Sequence, residues 1–114
     1  DDQIIKKIKR AVTDSGSEIT FEDSKPGIKN LIQIQAAILG KSPEEVVKAY
    51  QGKQYGHLKV ETAELVANTL GPIRAEADHL IKDKVYLDSI LKQGAEKARS
   101  IAQKTLKKVH DAVG

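Results

Sequence analysis

Cysteine is absent from the 114 residues. That excludes disulfides, thiolate metal sites and cysteine nucleophiles, and it fits a reducing compartment, with a cytoplasmic setting as the plain inference. Methionine is absent too, even at the first position, and the chain opens inside what reads as a helix. A preceding segment is therefore expected upstream of Asp1. No apolar run approaches the roughly 18 to 20 residues that span a bilayer, and the charged opening Asp1-Asp2-Gln3 is unlike a signal peptide. The expectation is a soluble chain with no membrane partner, large enough to bury a core without a covalent staple.

Motifs for catalysis are also missing. There is no G-x-x-x-x-G-K-[ST] phosphate loop, no G-x-G-x-x-G and no H-E-x-x-H, and Gly52-Lys53 lacks the upstream glycine that cradles a phosphate. His57, His79 and His110 have no partner histidine three to five positions away, so surface histidines explain them better than metal ligands. Glu44 with Glu45 suits a helix amino terminus, and Asp83 with Asp88 is met by Asp83 serving as an N-cap. No catalytic, metal-binding or cofactor-binding residue is assigned.

What is present is positive charge at the two ends. Lysine and arginine outnumber aspartate and glutamate by 19 to 16, with a net +2 over residues 1–13, −3 over 14–91 and +4 over 92–114. The total suits ordinary solubility, whereas the distribution admits contact with a polyanion.

Helical periodicity runs through most of the chain. Ile4, Ile5, Ile8, Ala11 and Val12 form one side of an amphipathic helix with Lys6, Lys7, Lys9 and Arg10 on the other. Its apolar surface is expected to meet a preceding catalytic half, and without that half the helix is expected to fray or self-associate. Residues 13–27 read as a loop, rich in side chains that compete for the backbone. From Ile28 to Leu39 apolar residues cover more than one face, which predicts a central helix ended by Gly40. Ser42-Pro43-Glu44-Glu45 is a capping box with proline at the first helical position, opening a short helix to about Gln51. A long pattern from Leu58 to Ile81 follows, with Pro72 predicted to kink it near residue 68 or 69. The last third predicts a helix over 84–93, a break at Gly94 and a final helix over 95–113. Together these predict an all-α chain, an irregular bundle of five to six helices forming a single domain over 1–114.

On the final helix Lys97, Lys104, Lys107 and Lys108 fall within an arc of about 100°, with Ser100 among them. Such a stripe suits phosphates along an RNA backbone. It suits a solvated helix face equally, and Asp111, inside the same arc, favours that blander use.

Four blocks then carry a resemblance. AVTDS at Ala11–Ser15, KPGIKNL at Lys25–Leu31, YQGKQYGHLK at Tyr50–Lys59 and GAEKARSIAQKTLKKV at Gly94–Val109 are similar, in order and spacing, to the carboxy-terminal region of bacterial-type tryptophanyl-tRNA synthetases. The resemblance covers the whole chain. It implies a two-part enzyme: a Rossmann half that activates tryptophan with ATP and magnesium, and a helical half that holds the anticodon region of tRNA(Trp). This chain resembles only the helical half, since neither ATP signature motif has a counterpart here, and it is expected to be inactive alone. Gly94, Ala95, Lys97, Ala98 and Arg99 match the family's terminal motif. The RNA-binding candidates are thus Lys97, Arg99, Lys104, Lys107 and Lys108, and the partners implied are tRNA(Trp), the catalytic half and a second copy of the parent. A free-standing RNA-binding module and a structural helical domain remain the alternatives.

Overall fold

The computed structural model describes residues 1–114 as five helices and no strand: α1 (Asp2–Lys9), α2 (Pro26–Leu39), α3 (Pro43–Ala49), α4 (Tyr55–Lys82) and α5 (Lys84–Val113). The chain is all-α. Two compact units divide it, Asp1–Ile73 and Arg74–Gly114.

The first unit holds the core. Pro26 occupies the first turn of α2, where its missing N–H costs nothing. Ile28, Leu31 and Ile32 from α2 are buried with Val46 from α3 and Leu58 from α4. Gly40 ends α2 in the left-handed conformation, φ 63°, and the Ser42–Glu45 capping box starts α3, with both reciprocal bonds formed. These local signals act as the sequence predicts. Residues 13–25 have no regular structure except a turn at Asp23-Ser24, yet they are anchored, because Ile19 is buried and Phe21 packs beside it. Asp14 accepts hydrogen bonds from the Gly16 N–H at 2.7 Å and the Tyr55 hydroxyl at 2.8 Å, which pins the loop to α4. At Gly27 a Cβ would stand 2.3 Å from the Val12 carbonyl oxygen, so only glycine permits this approach of loop to helix.

Three boundaries differ from expectation. The first helix stops at Lys9, not Val12: Ile8 packs against the core, Ile4 and Ile5 are half-buried, and Val12 lies outside the helix, 89% exposed. The helix closes at Arg10, whose N–H donates to the Lys6 carbonyl at 3.1 Å, before the apolar spacing runs out. α2 begins at Pro26, two residues inside the expected 13–27 loop, whereas Pro72 leaves α4 continuous to Lys82, in keeping with the long pattern expected to Ile81; the ring removes one donor, the bond to the Asn68 carbonyl. Gly94 does not break the last helix, which is one 30-residue element. An isolated glycine costs about 1 kcal/mol relative to alanine, and the strong helix formers Leu91, Lys92, Gln93, Ala95, Glu96 and Lys97 around it outweigh that cost.

A polar chain threads the core of the first unit. Gln35, buried within α2, donates from Nε2 to the Tyr50 hydroxyl and to Thr62 Oγ1, both at 2.8 Å. Tyr50 donates onward to Glu61 Oε2 at 2.6 Å, and Lys53 pairs with Glu61 Oε1 at 3.0 Å. Tyr50's bond, with Lys53 adding to it, holds the Glu61 carboxyl below its usual range, while burial, then Glu61, pushes the Tyr50 phenol up to about 12. An acid whose pKa rises on folding lends stability below its unfolded pKa, near 10, and loses it as pH climbs toward about 12. The thermal midpoint advantage of the wild-type chain over Tyr50→Phe is therefore expected to shrink as pH rises from 10 to about 12. A difference unchanged across that range would contradict the bonding described.

Candidate nucleic-acid interface

The second unit comprises the end of α4 and α5. Asp83, between them, caps α5 by accepting the Tyr86 N–H at 3.1 Å. At 1.5 Å per residue α5 is about 45 Å long, and none of its residues is buried. Side chains along it divide by angle. Leu87, Leu91, Ala98, Ile101, Ala102, Thr105 and Val109 fall in one sector of about 100°, and the lysines lie beside them.

Because α5 is continuous, the positions of the candidate residues follow from helix geometry. Lys97, Lys104 and Lys108 project within about 40° of one another, Lys107 stands about 60° beyond Lys104, and the four extend for about 16 Å along the axis. All are exposed. Lys97, Lys104 and Lys108 carry no ion pair or side-chain hydrogen bond, so their charges are free for an incoming anion. Lys107 pairs with Asp111 at 3.0 Å, one turn on, and both side chains are well exposed. Exposed pairs at this spacing are worth only about 0.3–0.5 kcal/mol and are screened by salt, so Asp111 dilutes the stripe without closing it. Arg99 stands apart, about 160° from Lys97 and close in angle to Lys92. One phosphate track that runs over the lysine stripe does not reach it.

The histidines are scattered. His57 lies in the first turn of α4, where its Nδ1 accepts the Gln54 N–H at 3.4 Å, and His79 and His110 lie exposed near the ends of α4 and α5. No group of three His, Asp or Glu side chains is gathered to hold a metal ion. No helix is long and apolar enough to cross a membrane. Two features escaped the sequence. The Gln35–Tyr50–Glu61 chain joins residues 11 or more positions apart, and its sole local trace is a glutamine between the apolar Ile34 and Ala36 of α2. The second feature is the lack of partners for the lysines of α1.

No protein-family model matches the chain. Individual proteins do. It is 47% identical over 111 residues to tryptophan--tRNA ligase from Clostridium perfringens, covering 97% of this chain and 33% of that protein. Against the ligase of Enterococcus faecalis the figures are 46% over 112 residues, 97% and 33%, and against that of Mycobacterium leprae 41% over 111 residues, 96% and 32%. The chain thus spans about a third of the length of the curated relatives it matches. Identity at this level over nearly every residue accords with the four sequence blocks: residues 1–114 are similar, almost end to end, to one third of a tryptophan--tRNA ligase.

Proposed function

We propose that this chain is the tRNA-holding part of a tryptophan--tRNA ligase, and that it grips tRNA(Trp) through phosphates laid along the Lys97, Lys104, Lys107 and Lys108 face of α5. Residues 1–114 act as one functional domain. Tryptophan activation with ATP and magnesium belongs to a Rossmann half outside these residues, in a cytoplasmic enzyme working as a homodimer. The chain alone has no group for adenylate chemistry and is inactive in amino acid activation. Arg99 is the candidate that rests on the family motif rather than on the stripe, and it serves an RNA segment reaching the other side of α5.

The single observation that carries this function is the set of unpartnered lysines on one exposed face of a 30-residue helix. Cations so placed gain affinity by releasing counterions condensed on the nucleic acid, which makes binding salt-dependent. Lys104→Glu is expected to weaken binding to a tRNA(Trp) transcript and to flatten the dependence of log K on log salt by about one unit, with a similar smaller change for Lys97→Ala. A titration between 50 and 200 mM salt reads both. An unaltered slope for the two variants would return the stripe to mere solvation.

A further inference from the structure

The other basic end of the chain has a surface of its own, in a different unit. Along α1 and its C-cap Arg10, the side chains of Lys6, Arg10, Gln3 and Lys7 fall in that angular order within about 100°. The four line one surface depression of about 460 Å³. Ile4, Ile5 and Ile8 occupy the opposite side, half-buried, with Ile8 against the core. That docking fixes which side faces outward. The exit of the helix is fixed as well, since Lys59 Nζ donates to the Ala11 carbonyl at 2.8 Å.

None of Lys6, Lys7, Lys9 and Arg10 has an ion pair or a side-chain hydrogen bond. Cations in the last turn of a helix do offset its dipole, worth about 0.3–1 kcal/mol each at the surface. That accounts for basic residues in the last turn, but it does not account for two lysines, an arginine and an amide converging on one concavity with no carboxylate among them. Lysine supplies a point charge, arginine a planar fork that matches two phosphate oxygens, and Gln3 an additional N–H donor.

We infer that the Gln3–Lys6–Lys7–Arg10 face of α1 and its C-cap is a second RNA backbone-binding surface. The occupant is a phosphodiester backbone, not an isolated base, because the face has no aromatic ring on which a base could stack. This inference takes RNA binding from the proposed function and adds a surface separate from the α5 stripe.

The test uses the whole 114-residue chain and a tRNA(Trp) transcript. Lys6→Gln, Lys7→Gln and Arg10→Gln combined leave the Ile-mediated docking untouched, and helix content and thermal midpoint are checked first. The salt slope is expected to fall by about two units or more, and affinity at 0.1 M salt at least about tenfold. Lys6→Arg with Lys7→Arg keeps the charge and should keep the slope. In the unmodified chain, saturating RNA should slow acylation of Lys6 and Lys7 severalfold while Lys41, in the turn after α2, reacts as before. If the triple variant folds and keeps its slope while the α5 variants lose theirs, this surface is refuted and the proposed function stands. If RNA leaves Lys6 and Lys7 as reactive as Lys41, or if a polyglutamate peptide binds this face as tightly as RNA does, the assignment to RNA backbone is overturned. Loss of slope in neither set of variants would overturn both.

Discussion

Leu58→Ala is expected to destabilise the Asp1–Ile73 unit by about 3 kcal/mol, within the range for emptying a fully buried leucine site. Leu58 is 0% exposed and sits in the first turn of α4, where it joins the cluster built from Ile28, Leu31 and Ile32 of α2. Neighbours on rigid helices close only part of the cavity left behind, so lost burial and lost packing add. A domain of this size has total stability of roughly 4–11 kcal/mol, so the variant keeps only part of it. At about 4–8 °C per kcal/mol the thermal midpoint should fall by about 12 °C or more. Leu106→Ala on α5 is the matched control: Leu106 is 55% exposed, and its loss should change stability by no more than about 0.5 kcal/mol. Similar losses for the two variants, read by thermal unfolding, would contradict the core described.

The largest functional effect belongs to Lys97→Gln, Lys104→Gln and Lys108→Gln combined. These three side chains project within about 40° and none has a partner in the protein, so the change removes charge without breaking a bond. At about 0.7–0.9 units of slope per phosphate contact, the salt dependence should flatten by about 2–3 units, and affinity at 0.1 M salt should drop by about a hundredfold. Arg99→Gln, on the far side of α5, is expected to leave the stripe's share of the slope intact. Should Arg99→Gln alone produce the larger change, the RNA track lies on the other face of the helix.

How far these features could be read from the sequence depends on their range. The capping box at Ser42–Glu45 and the left-handed end of α2 at Gly40 were legible because every participant lies within a few residues. The basic stripe was legible because it needs only the 3.6-residue period of a single helix. Gly94 misled because it is only a local penalty, of about 1 kcal/mol, absorbed by a long run of helix formers. Ala11 and Val12 misled in the opposite sense, since apolar spacing extended a helix that closes at Arg10. Hydrogen bonds from Gln35 to Tyr50 and Thr62 could not be foreseen, because only the packing of α2 beside α3 and α4 sets these side chains together. Nor does spacing tell a phosphate-binding lysine from a solvating one. The structure adds only that Lys107 pairs with Asp111 while Lys104 has no ion pair.

The central claim is that residues 1–114 hold tRNA through the lysines of α5. Its most direct test is a binding titration of the unmodified chain with a tRNA(Trp) transcript at several salt concentrations between 50 and 200 mM, beside the Lys97, Lys104 and Lys108 variant. Saturable binding with a log–log slope of about −2 or steeper, flattened in the variant, is the expected result; no binding at 50 mM salt, or binding with the same slope in both proteins, would contradict it.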